Sequence, residues 1–199
     1  PPEAIVLEDI ALDPLIGVDR RYKKLGLNPR DGNEIQQSLL DKGLIRSVRV
    51  DRNKLFELTD QGLDVLDMNG LKRPKGSARG GAVHNYYLEK IKQELQRLGG
   101  TTVLEKDDID LVAHTNAGII AVQVETGKSN IKKNIRTLNE FLATHRFMVA
   151  TNDSALKIIQ DNLPDHNALG DIRAYHAKEF IPSLHLILTP NGSEKPDHD

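Results

Sequence analysis

The chain contains no cysteine, no tryptophan and no long apolar run. Without cysteine there can be neither a disulfide framework nor a thiolate-ligated zinc site, and the composition agrees with a reducing, cytoplasmic setting. No stretch approaches the roughly 20 apolar residues that a bilayer-spanning helix needs, so no membrane partner is expected. An excess of one charge is also missing. Lys and Arg number 27 against 29 Asp and Glu, a formal net charge of -2 at pH 7. That balance excludes indiscriminate nucleic-acid binding and confines any such contact to local basic patches. What remains is 199 residues, 38% hydrophobic and 28% charged, which suits a soluble globular protein of two domains of about 100 residues each. The opening Pro1-Pro2, without Met, reads as part of something longer.

The most informative stretch is Asp107 to Lys128, DDIDLVAHTNAGIIAVQVETGK. Residues 109–113 and 119–125 are aliphatic, β-branched runs on either side of Thr115-Asn116-Ala117-Gly118, the composition of two antiparallel strands and a tight turn. Side chains alternate faces along a strand, so Asp108, Asp110 and Val112 share one face. Ile119, Ala121, Gln123 and Glu125 share a face of the next strand, while Ile109, Leu111, Ile120, Val122 and Val124 turn into a core. A turn centred on Asn116-Ala117 sets Asp110 opposite Gln123 and Asp108 opposite Glu125. A one-residue slip would undo that register.

Polar groups converging from two strands are costly to bring together unless a positive charge sits among them. Oxygen ligands of this kind suit Mg²⁺ or Mn²⁺, an ion that activates water and stabilises charge on a phosphodiester. The plainer alternative is a solvated sheet face whose charges keep the hairpin soluble.

The order of elements around the hairpin resembles the PD-(D/E)xK nuclease superfamily. A helix is expected at 84–98, strands at 101–106, 108–113 and 119–125, a helix at 129–143 and a strand at 146–151. The resemblance maps its conserved Asp to Asp110. Its third-strand acidic position falls on Gln123 and its Lys position on Glu125, with Lys128 able to supply an ammonium from just beyond. A narrower resemblance rests on Arg79-Gly80-Gly81, His84, Asp110 and Val124-Glu125-Thr126-Gly127-Lys128-Ser129. It points to nuclease-like domains appended to HerA/FtsK-like ATPases and mobile-element proteins, commonly after a winged helix. The Gly-Lys-Ser is not a phosphate-binding P-loop, because the earlier Gly that the motif requires at fixed spacing is absent.

The first 70 residues read as a winged helix-turn-helix domain. Residues 4–27 show no clean apolar period, with Pro14 interrupting and residues 20–25 ending a helix at Gly26. Asn28-Pro29 starts a helix that runs to Lys42, with Gly43 as its cap. Residues 44–50 and 54–58 form a two-stranded wing joined at Asp51-Arg52-Asn53, and Thr59 caps a last helix. The string Leu58-Thr59-Asp60-Gln61-Gly62 resembles the end of many winged-helix domains. That resemblance makes 29–42 the recognition helix, offering Arg30, Asn33, Gln36 and Gln37 to a groove, with Arg52 and Lys54 on phosphate. Winged helices also serve as protein-docking modules.

Residues 71–83 read as a basic linker, 84–190 as a restriction-endonuclease-like α/β domain with a central mixed sheet, and 191–199 as a disordered tail. Lys132, Lys133 and Arg136 form a basic flank of the second helix, beside which Asn134 can turn towards the site. Asp153 or Ser154 caps a further helix, and residues 171–175 and 184–188 read as edge strands. The preferred function is a DNA-binding, metal-dependent endonuclease acting on double-stranded DNA. Asp110, Gln123 and the Val124 carbonyl would hold Mg²⁺ or Mn²⁺. Glu125 would orient water, Lys128 would stabilise the developing charge, and His84 would reach the site from its helix. The rival is a non-catalytic docking module for DNA or a partner ATPase that keeps the nuclease fold. Gln123 favours that rival.

Overall fold

The computed structural model describes residues 2–71, 81–166 and 171–188. The chain is α/β and divides between Tyr86 and Tyr87 into two compact units. A two-stranded sheet belongs to the first unit and a five-stranded mixed sheet to the second. Most of the expected linker and the whole expected tail lie outside the described residues.

The first unit runs α1 (Pro2–Leu12), α2 (Val18–Leu25), α3 (Pro29–Asp41), β1 (Ile45–Val50), β2 (Asn53–Leu58) and α4 (Asp60–Met68). The segment without a clean period is two short helices. The first buries Val6, Leu7, Ile10 and Ala11 in a core shared with Leu39, Ile45, Phe56 and Leu66, a helical spacing concealed in the sequence by the break at Pro14. Arg21, fully buried on α2, fastens that helix to α1. Its guanidinium donates to the Asp9 carboxylate, to the Asp13 carbonyl at 2.7 Å and to the Ile16 carbonyl at 3.2 Å. Asn28 accepts from the Asp31 N–H at the start of α3, and Thr59 accepts from the Gly62 N–H at the start of α4. Each bond satisfies an otherwise orphaned helix donor.

The second unit holds most of α5 (Ala82–Arg97), then β3 (Thr101–Lys106), β4 (Ile109–Thr115), β5 (Gly118–Glu125), α6 (Ile131–Glu140), β6 (His145–Ala150), α7 (Asp153–His166), β7 (Ile172–His176) and α8 (Ala177–Leu188). Strand order follows chain order from β3 to β7. The first three strands form an antiparallel meander, and β6 and β7 add in parallel to β5. Parallel neighbours need crossover connections, which α6 and α7 supply on one face. There Ile131, Ile135, Leu138 and Ile159 pack with Val112, Ala121, Met148 and Ala150. On the other face Phe180 of α8 stacks near Phe147 and Tyr175.

Both faces of the sheet are therefore covered, which corrects the expectation of one core face and one polar face. Val112 and Ala121, expected beside the acidic groups, are fully buried under α6. Two further expectations fail. Residues 184–188 are helical, because Ala177, Phe180 and Leu184 bury one side of α8 at three- and four-residue steps, a spacing that no strand reproduces. Asn152, ahead of Asp153 and Ser154, accepts from the Ala155 N–H at 2.8 Å and caps α7.

Two tight turns shape the meander. Lys106 pairs with Ile109 across Asp107 and Asp108, both left-handed at φ 53° and 62°, the backbone of a two-residue hairpin. Thr115 pairs with Gly118 across Asn116-Ala117. Glu105, one residue before the end of β3, is also left-handed at φ 52°.

Candidate functional site

Pairing of β4 with β5 runs from Thr115↔Gly118 to Leu111↔Val122, so the next step sets Asp110 opposite Gln123. Beyond that point side chains take over the ladder. The Gln123 amide accepts from the Asp110 N–H at 3.4 Å and donates to the Asp108 carbonyl at 2.7 Å. One Asp110 carboxylate oxygen accepts from the Val124 N–H at 2.7 Å. The Glu125 carbonyl accepts from Thr151 N–H on the β6 side. Since the N–H and C=O of consecutive strand residues point to alternate sides, the Val124 carbonyl is directed to the Asp110 side.

Asp110 is half-buried, Gln123 is 2% exposed and Glu125 is 0% exposed. A buried carboxylate needs donors, and Glu125 has two named here. Ser129 donates to one oxygen, and Asn134, on the first turn of α6, donates to the other at 2.5 Å. Lys128 is exposed on the loop between β5 and α6. Asp108 is not on a strand, as expected, but in the β3–β4 turn, because its left-handed backbone cannot continue a pleat. Its carboxylate faces Lys133 at 3.6 Å. Lys132 is exposed beside it on α6.

A divalent ion demands oxygen ligands free to turn towards it. The Gln123 oxygen is directed at a backbone N–H and its NH₂ at a backbone carbonyl, so flipping the amide would oppose donor to donor and acceptor to acceptor. Among the described residues, no three His, Cys, Asp or Glu side chains are grouped to hold a metal. For the expected set of Asp110, Gln123 and the Val124 carbonyl to hold Mg²⁺ or Mn²⁺, the Gln123 amide would have to leave these two backbone bonds. Gln123 closes the hairpin instead. A carboxylate at that position would set its oxygen against the Asp108 carbonyl, an opposition that a cation or proton must relieve.

His84 lies in the first unit, on the first turn of α5, with its Nδ1 3.2 Å from the Asn85 side-chain oxygen. In the same unit Arg30 is exposed on α3 and ion-paired with Glu34 at 3.1 Å. Gln36, expected to face a groove, is 8% exposed and accepts from the Tyr22 hydroxyl at 2.9 Å. The correction has a packing cause: Gly32 leaves room for the Tyr22 ring, where a Cβ would come within 2.7 Å of it. That close approach carries Tyr22 onto Gln36. Arg52 and Lys54 are exposed on the hairpin, as is Arg49, which the sequence reading passed over. Its signal was available in the register, since Val50↔Asn53 sets Arg49 opposite Lys54.

Among the described residues, no helix is long and apolar enough to cross a membrane. No known protein family, curated protein or solved structure matches the chain.

Proposed function

We propose that the chain is a DNA-docking module, a winged-helix unit followed by a restriction-endonuclease-like unit without a working metal centre. The observation that carries this reading is Gln123. It stands at the position that the nuclease resemblance assigns to a metal-binding carboxylate, and its amide is held between the Asp108 carbonyl of the β3–β4 turn and the Asp110 N–H of β4. The neighbouring carboxylates have protein donors as well, Asp110 from Val124 and Glu125 from Ser129 and Asn134. The nuclease scaffold then serves as a rigid platform, with a HerA/FtsK-like ATPase or the remainder of a mobile-element protein as the partner that the resemblance suggests. Support for the winged helix comes from three helices, a hairpin and a fourth helix in that order.

A second reading, a Mg²⁺- or Mn²⁺-dependent endonuclease, has one observation in its favour. Asp110 and Glu125 lie on the same side of the sheet, with the Val124 backbone directed towards Asp110. It requires Gln123 to leave the turn.

One experiment separates the two. Supercoiled and linear DNA are incubated with the full chain and Mg²⁺ or Mn²⁺, alongside Asp110→Ala and Gln123→Glu. The docking reading expects DNA retention without metal and no nicking by the wild type. Metal-dependent nicking by the wild type that disappears in Asp110→Ala would overturn it in favour of the nuclease.

A further inference from the structure

We infer that duplex DNA is held through the β1–β2 hairpin, with Arg49, Arg52 and Lys54 on the phosphate backbone, and that α3 stays out of the groove. The inference rests on the DNA-docking reading and assigns its contact surface. Arg49 and Lys54 are direct cross-strand partners, and both are exposed. Like charges directly opposite each other destabilise a hairpin. Neither side chain has an ion pair among the described residues; Lys54 rests over the Phe56 ring at 5.3 Å. Arg52 is exposed at the hairpin tip and also has no ion pair among the described residues. A phosphate beside the first two cations turns their repulsion into shared attraction.

The other hairpin charges are committed elsewhere. Arg46 is paired with Glu57 at 2.6 Å, and the Glu57 carboxylate also accepts from the Ala82 N–H. Asp51, the carboxylate at the tip, accepts from the Tyr86 hydroxyl at 3.2 Å.

On α3 the balance is reversed. Its exposed charges are Arg30, Asp31, Glu34 and Asp41, and its one cation is paired with Glu34. Lys42, the cap that follows, is paired with Glu3 at 2.7 Å. Of the amides on α3 that could read an adenine edge, Gln36 is buried and accepts from the Tyr22 hydroxyl, Asn33 accepts from the same hydroxyl at 3.1 Å, and Gln37 donates to Asp41 at 2.7 Å. Duplex DNA carries about one negative charge per 1.7 Å of axis, so a helix face with three carboxylates would be repelled from the groove. Among the described residues, the hairpin therefore offers three exposed cations without ion pairs, where α3 offers none.

The test measures binding of the full chain to a labelled DNA duplex across a salt series. Changing Arg49, Arg52 and Lys54 together to Gln should weaken binding more than about tenfold and reduce the log–log salt slope by about 2 or more, given a slope of about 0.9 per phosphate. Arg30→Gln should leave both unchanged. Arg49→Glu should move two readouts in opposite directions. Facing Lys54, it should raise the melting temperature of the free protein by about 1–4 °C and still lower DNA affinity, a combination that a folding defect cannot produce. Wild-type protein that binds no duplex would overturn the docking reading itself. Wild-type binding with an unchanged slope in the triple variant would overturn the hairpin assignment alone, as would equal flattening by Arg30→Gln. Preference for an RNA duplex over DNA would overturn the choice of partner.

Discussion

Asn134 donates to Glu125 over 2.5 Å, and Ser129, four residues beyond Glu125, donates to the other oxygen of the same carboxylate. The end of β5, the following loop and the first turn of α6 are thereby tied to one buried group. Glu125→Ala should leave both donors without that acceptor and open a cavity, costing about 2–4 kcal/mol. Glu125→Gln keeps the volume and can still accept one bond, so about 1 kcal/mol is expected. Urea denaturation of both variants checks the order. An alanine variant as stable as the wild type would remove the latch from the account.

Gln123→Glu should make stability depend on divalent metal. Without metal its carboxylate opposes the Asp108 carbonyl that the amide now serves at 2.7 Å, so the variant should melt below the wild type. Mg²⁺ or Mn²⁺ should restore part of the loss, because a ligand bound only by the folded state stabilises it. The wild type should melt at the same temperature with and without the ion. Thermal melts in chelator and in millimolar metal make the comparison.

Gly118 closes the β4–β5 turn at φ 105°, and a Cβ there would lie 2.2 Å from the Thr144 hydroxyl oxygen. Gly118→Ala combines backbone strain with a collision and should cost about 2–4 kcal/mol. Thr144→Ala removes the 2.2 Å contact but keeps the residue-144 Cβ at 2.8 Å and the backbone strain, so the double variant should be more stable than the sum of the two single changes predicts while staying below the wild type. A strictly additive cycle would place the cost in the backbone alone.

Much of this hairpin was legible before any coordinates. Thr-Asn-Ala-Gly between two β-branched runs fixes a turn, the turn fixes a register, and the register sets Asp110 opposite Gln123. What the sequence conceals is where the hydrogen bonds go. Nothing in Gln123 alone tells that its amide meets a turn built by Asp107 and Asp108, because that turn depends on two left-handed aspartates that read as the start of a strand. Gln36 was misplaced for a similar reason. Its burial is decided by Tyr22 on another helix and by the space at Gly32, neither of which enters the periodicity of α3. Residues 184–188 are apolar enough for a strand, and their helix is defined by Phe180 and Ala177 upstream. The Arg49–Lys54 opposition was within reach, needing only that the wing be counted back from its turn.

His145 provides a pH response. It is partly buried, stacks on Phe147 with ring centroids 6.2 Å apart, and has Arg173 3.3 Å from its Nδ1. Burial, and then the Arg173 charge, hold its pKa below the usual imidazole value. The unfolded chain therefore takes up this proton first as pH falls. The associated stability is present above about pH 6.5 and is lost between that value and the lower folded one. His145→Gln should lose less stability than the wild type between about pH 7.5 and about pH 5.5. Parallel pH dependences in the two proteins would assign the acid response to other groups.

The left-handed Glu105 has a consequence for behaviour at high concentration. β3 is an edge strand with Val103 and Leu104 45% and 41% exposed, the kind of border on which a second chain can template. Glu105 breaks the extended backbone one residue before the strand ends, so an incoming strand finds a regular hydrogen-bonding row only along 101–104, followed by a charged kink. Restoring an ordinary extended residue there, as in Glu105→Val, would lengthen that border and remove its charge together. Such a chain is expected to precipitate at a lower concentration than the wild type, because its exposed border would be both longer and uncharged.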